Sequence, residues 1–127
     1  VGIGVRGAAR RRPGGVARSG LDAARDATAA RVGALRAELA GIVESSEGAN
    51  ADDEHDPEGA TIAFERQRVA SLLEAARCHL GALDAARDRA ASGSYGTCEA
   101  CGGRIGDERL EALPAATRCV ACATTPR

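Results

Sequence analysis

The sequence predicts a mainly α protein: an antiparallel two-helix coiled-coil hairpin followed by a small C-terminal four-cysteine zinc finger. Three observations carry this. Apolar residues recur in alternating steps of four and three along two long segments, the seam of a coiled coil. A short acidic stretch of turn-forming residues separates them. Near the end, Cys98, Cys101, Cys119 and Cys122 stand as C-x2-C-x17-C-x2-C, a spacing that reads as a zinc site. The 127 residues include only two aromatics, Phe64 and Tyr95, and Ala dominates the apolar count. Such a chain cannot build a wide core, because burial scales with side-chain area. Ala mixed with Arg and Glu favours long helices instead.

Residues 1–20 carry Arg6, Arg10, Arg11, Arg12 and Arg18 and no acid, whereas from Leu21 onward acids outnumber bases 18 to 12. A basic arm can bind nucleic acid. This one is Gly-rich, contains Pro13 and lacks aromatics, so it is expected to be a disordered leader. The hairpin is expected over 21–92. Its first helix runs from Leu21 to about Ser46, with Thr28, Val32, Leu35, Leu39 and Ile42 on the seam. Ser45, Ser46, Glu47 and Gly48 end it. The stretch from Ala49 to Gly59 has turn chemistry and dense negative charge, which places an acidic tip at 50–60. The second helix starts at Pro57 or Ala60 and runs to about Ala91. Proline suits a first helical turn, and the acids around it suit the positive end of the helix dipole. Val69, Leu73, Ala76, Leu80 and Leu83 form its seam, Ile62 and Ala90 continue the phase, and Arg66 and Arg87 interrupt it near the ends. Ser92, Gly93 and Ser94 break the helix and lead into the zinc finger, expected over 93–127.

Each C-x-x-C pair can fold into a tight turn with both sulfurs on one side. Two such turns give tetrahedral sulfur coordination of one Zn2+. With all four positions closed, the metal is structural, since a catalytic zinc keeps a position open for water. Neither His55 nor His79 is close to the block in sequence. Four thiolates on Zn2+ leave a charge near minus two, roughly by ion counting, which Arg104 and Arg118 are placed to offset. Gly102 and Gly103 permit the turn. Ile105, Leu110 and Leu113 supply an apolar floor too small to fold alone, so the metal should supply much of the folding energy. Cys78 falls off the seam and reads as a small filler residue.

Between Glu44 and Glu58 there are seven carboxylates and no Arg. Most charge runs are solvated loops. Crowding like charges at one end of a prong costs repulsion, which entry into a positively lined channel would offset. No Ser-His-Asp or Cys-His arrangement and no phosphate-cradling Gly loop is present, so no enzymatic activity is expected. No apolar run is long enough for a membrane span, and no secretory signal precedes the cysteines, which points to the reducing cytoplasm.

Tyr95-Gly-x-Cys98-x-x-Cys101-Gly-x-x-Ile105, followed by Arg109-Leu110-x-Ala112-x-Pro114-x-Ala116-x-x-Cys119-x-x-Cys122, resembles the DksA/TraR family of bacterial transcription regulators. The acidic-tipped hairpin also fits that family's architecture. The resemblance implies direct binding to RNA polymerase rather than to DNA, with the coiled coil entering the secondary channel and its tip approaching the active centre. It implies modulation of initiation, often with the alarmone ppGpp, to which no residue is assigned here. Against the family's tip pattern D-x-x-D-x-A, Glu58 and Ala60 match the second acid and the Ala. His55 stands in the place of the first Asp, and Asp56 takes its role only in a loop one residue shorter. The tip set is therefore Asp56, Glu58 and Ala60. Three other readings stay open: a factor stimulating transcript cleavage through tip carboxylates holding Mg2+, a zinc-dependent DNA-binding module, and a redox sensor. Within the zinc block Arg104, Arg109 and Arg118 face Glu99, Asp107, Glu108 and Glu111, a balance that weighs against phosphate binding.

Overall fold

Ala-rich segments with a four-three apolar rhythm form helices, and in the computed structural model they do so over two long stretches. The structure describes residues 15–47 and 57–124, with side chains from 18 and from 59. Helix α1 spans Gly15–Glu47 and α2 spans Pro57–Ser92. Two short helices follow, α3 at Asp107–Ala112 and α4 at Val120–Thr124. The fold is the expected one: a helical hairpin, then a four-cysteine module. No helix among the described residues is long and apolar enough to cross a membrane.

Helix α1 starts at Gly15, ahead of the expected Leu21. Glycine inside a helix costs about 1 kcal/mol relative to Ala, yet Gly20 does not end this one. Leu21 directly after it is almost fully buried, and Arg18 donates from Nη2 to the Ala90 carbonyl at 2.7 Å. Helical residues 15–20 thus belong to α1 and not to a leader. Residues 1–14, with Arg6, Arg10, Arg11 and Arg12, lie outside the described residues, as do 48–56, which hold most of the expected tip and His55.

The described residues fall into two compact units, divided after Arg25 and after Gly81. In the unit Asp26–Gly81, Val32 and Leu35 of α1 cluster with Val69, Leu73 and Ala76 of α2, and Leu39, Ile42 and Leu80 pack half-buried against them. These are the expected seam residues. Arg68 bridges the helices toward Glu38 at 3.8 Å while pairing with Glu65 on its own helix at 2.6 Å.

In the other unit, Asp22 pairs with Arg87 at 3.1 Å and Arg25 with Asp84 at 3.0 Å. Partners that rise on one helix fall on the other, so the pairing is antiparallel. Here the seam differs from expectation. Leu83 and Ala86 are fully buried, whereas Arg87 is exposed and ion-paired. The buried face takes a second step of three, from Leu83 to Ala86, because at this end α2 packs against Tyr95, Ile105 and Leu110 as well as Leu21. Alanine suits the crowded position, and Arg87 moves to the flank, where Asp22 meets it.

Helix α2 ends as the sequence expects. Gly93 has φ 86°, a left-handed conformation that only Gly adopts at little cost. Ser94 N–H donates to the Arg89 carbonyl at 2.9 Å, the six-to-one bond of a Schellman cap. Tyr95 N–H donates to the same carbonyl at 3.1 Å.

Candidate metal centre

A C-x-x-C segment brings its sulfurs together only if the backbone between them turns sharply. Gly102 N–H closes that turn on the Cys98 carbonyl at 2.9 Å, and Gly102 itself has φ 73°. Cys98 N–H donates to the Gly103 carbonyl at 2.8 Å, and Ile105 N–H to Gly96 at 2.7 Å. Together with an antiparallel bridge between Thr97 and Arg104, these make a small knuckle. Gly103 N–H points to Cys101 Sγ at 3.4 Å, and a Cβ on Gly103 would stand 3.2 Å from that sulfur. The second pair sits at the entrance to α4, where Ala123 N–H bonds the Cys119 carbonyl at 2.9 Å. Glu99 N–H to the Thr117 carbonyl, 2.9 Å, ties one pair to the other.

The result is that Cys98, Cys101, Cys119 and Cys122 bring their Sγ atoms within 4.8 Å of one another. All four are free thiols, with Cys98 buried, Cys101 exposed and the other two between. Cys101 Sγ and Cys119 Sγ are 3.8 Å apart. A tetrahedral ion with Zn–S bonds of about 2.3 Å has sulfur–sulfur edges of about 3.8 Å. The donor set and its spacing therefore fit one structural Zn2+, held by these four sulfurs with no position left open. Such an ion clamps two chain segments together and offers no site for chemistry.

Backbone N–H groups aimed at the sulfurs favour thiolate. The amides of Cys119, Cys101 and Ala100 bring the Cys98 thiol down to about 6. Cys122 is pushed up to about 12, because it hydrogen-bonds to the sulfurs of Cys119, Cys101 and Cys98 and would add charge beside them. A divalent cation removes that penalty and draws off the remaining protons.

Arg104 and Arg118 do not take up the sulfur charge. Arg104 pairs with Asp107 at 3.0 Å and Arg118 with Glu99 at 3.3 Å. Both are surface pairs that hold the knuckle's flanks, and backbone amides face the sulfurs instead. Arg109 donates from Nε to the Arg118 carbonyl at 2.7 Å, bracing the segment before Cys119.

The apolar floor also differs from expectation. Ile105 and Leu110 are buried, but Leu113 is 52% exposed. Its place is taken by Tyr95, buried, with its hydroxyl donating to the Pro114 carbonyl at 2.9 Å. Burial pushes the phenol's pKa up, against the lowering pull of the Arg89 charge. The floor is completed from far away in sequence: Leu21 of α1 and Leu83 and Ala86 of α2 join Tyr95, Cys98, Ile105 and Leu110 in one cluster. From the sequence, Leu83 reads only as a coiled-coil seam residue and Leu21 only as a helix start, and Ala86 is not singled out. The available signal was the Leu21–Leu83 pair of large apolar residues at the helix ends nearest the cysteines.

Of the expected tip residues, Ala60 is exposed in the first turns of α2, while Asp56 and the Glu58 side chain lie outside the described residues. Cys78 is exposed, its Sγ 3.9 Å from Glu74 Oε1. His79 is exposed on the same helix.

Residues 93–125 match the prokaryotic dksA/traR C4-type zinc finger. A protein of Bacillus subtilis (strain 168), YteA, described as uncharacterized, is 40% identical over 68 residues, covering 54% of this chain and 28% of YteA. The match thus spans less than a third of that relative. The structure of transcription factor DksA2 from Pseudomonas aeruginosa superposes with a TM-score of 0.55 at 28% identity, covering 83% of this chain and 81% of that one.

Proposed function

We propose that this chain, a member of the DksA/TraR family by its zinc finger and its fold, regulates transcription by binding RNA polymerase and placing its helical hairpin in the secondary channel, without catalytic activity of its own. The observation that carries the reading is the shared core. A metal-clamped knuckle packs on the base of both hairpin helices through Leu21, Leu83 and Ala86. The clamp thus holds both helices together where they meet the knuckle. The likeness to a transcription factor over most of both chains supports the same reading. Arg104 and Arg118 are each engaged by a carboxylate, which favours a protein partner over duplex phosphate. Asp56 and Glu58 are the acids expected to act at the polymerase active centre.

The test is a pull-down of core RNA polymerase with the zinc-loaded chain, followed by crosslinking from a probe placed at Ala60. Binding with crosslinks to the channel interior is expected. Reversing charge at Asp56 and Glu58 should abolish effects on transcription in vitro and leave binding intact. Failure to bind polymerase, or crosslinks confined to its outer surface, refutes the proposal. A parental response from the charge-reversed variants refutes the tip assignment alone.

A further inference from the structure

Along this helical hairpin, Arg25, Arg68 and Arg87 each meet a carboxylate of the other helix. Several others are not matched, and four of these stand together. Arg36, Glu44, Glu47 and Arg77 have no ion-pair partner among the described residues. All four rim one feature, an open groove of about 550 Å³ floored by Leu39, Val43 and Leu73 within the Asp26–Gly81 unit.

We propose that this groove is the docking site for a second copy of the chain, with the two α1 helices antiparallel across a two-fold axis at Ala40. The rim carries two cations and two anions. A partner of one net sign would meet half of them and repel the rest, whereas a second copy brings the matching set by symmetry. The order along α1 fits. Arg36 and Glu44 lie four residues to either side of Ala40, about 6 Å along the axis in each direction. Antiparallel pairing about Ala40 therefore sets Arg36 of each chain against Glu44 of the other, twice per dimer. Ala37, Ala40 and Gly41 on this face are exposed, and a Cβ at Gly41 would meet nothing within 4 Å. Small residues at a crossing let helix axes approach to about 8 Å. Leu39 and Val43, half-buried in the single chain, are then covered.

A dimer built this way encloses α1 and cannot place the hairpin in a narrow channel, so it is a form held in reserve. The proposal stands apart from the polymerase reading, because it is tested on the purified chain alone. Sedimentation equilibrium of the zinc-loaded full chain over about 1–500 μM should show a monomer–dimer equilibrium. Arg36→Glu and Glu44→Arg should each weaken dimerisation about tenfold, by turning two attractions into repulsions. The double variant should recover to within about twofold of the parent. Zinc content and helicity should be parental throughout, since all these positions are exposed. A parent monomeric across the range, single reversals without effect, or a double variant as weak as the singles each overturns the proposal. So does a monomeric parent whose Arg36→Glu variant loses polymerase binding, a result that would give the groove to polymerase.

Discussion

Leu21 lies 77 residues before the first zinc-binding cysteine, yet Leu21→Ala is expected to weaken zinc binding. The side chain is 1% exposed and shares a cluster with Cys98, Ile105 and Leu110. Truncating a buried Leu to Ala costs about 2–5 kcal/mol, through lost transfer energy and the cavity left behind. About 3 kcal/mol suits a cluster this small, whose neighbours can partly collapse. The knuckle has too little apolar surface of its own to fold without help, so the loss appears in the metal-binding equilibrium. About 3 kcal/mol corresponds to roughly a hundredfold in zinc affinity. Competition against a chromophoric chelator measures it. Val32→Ala is the control, a buried seam residue in the other cluster. It should lower the denaturation midpoint and leave zinc affinity parental. If Leu21→Ala keeps zinc affinity within about twofold of the parent while stability falls, the knuckle folds independently of the hairpin base and the reasoning is wrong.

Three further outcomes follow from the metal centre. Tyr95→Phe removes the hydroxyl that bonds the Pro114 carbonyl at 2.9 Å, and should destabilise the zinc-bound protein by about 1 kcal/mol in urea titration; no change would mean that water replaces the bond freely. Gly103→Ala would set a methyl 3.2 Å from Cys101 Sγ, and a sulfur fixed on zinc has little room to yield. Affinity should drop about tenfold, read with cobalt as a spectroscopic substitute, and a parental cobalt spectrum and affinity would refute the crowding. The last outcome concerns pH. Cys98 is held at about 6 in the folded chain, below the ordinary thiol value. Its contribution to the folded state is present above the free-thiol value and is lost as pH falls through about 6. Zinc binding should therefore release one more proton below about pH 6 than above it, and a plot of log apparent affinity against pH should steepen there. A constant slope refutes the shift.

The two helices were legible because a four-three rhythm of Val, Leu and Ile survives even in an Ala-rich chain, and the zinc site because C-x-x-C spacing constrains geometry directly. What escaped was how one joins the other. Leu21 reads as the first residue of a helix, and only the folded chain shows it beneath Cys98. Leu113 and Tyr95 are both plausible core residues by type, and the choice between them depends on a long-range bond from Tyr95 to Pro114. Ala86 is buried in place of Arg87 because α2 there packs against the zinc module as well as α1, a contact that a two-helix heptad pattern does not carry. Arg104 and Arg118 were placed by their nearness to the cysteines, but nearby carboxylates outcompete sulfur shielded by backbone amides.

The zinc centre's place in the chain says what the metal does. Helix α2 ends in a glycine cap, and the same Arg89 carbonyl receives the amides of Ser94 and Tyr95. Tyr95 then enters the core, and Cys98 follows three residues later. No slack separates the end of the helix from the first metal-binding turn. A change in metal occupancy therefore reaches Leu21, Leu83 and Ala86 through Cys98 and Tyr95, which share their cluster. Losing zinc should fray the base of the hairpin, where both helices meet the knuckle, and leave the Val32, Leu35 and Val69 cluster protected. Hydrogen exchange with and without a chelator resolves this residue by residue. Faster exchange confined to α3 and α4, with the amides around Leu21 and Leu83 unchanged, would show that the metal organises the knuckle alone.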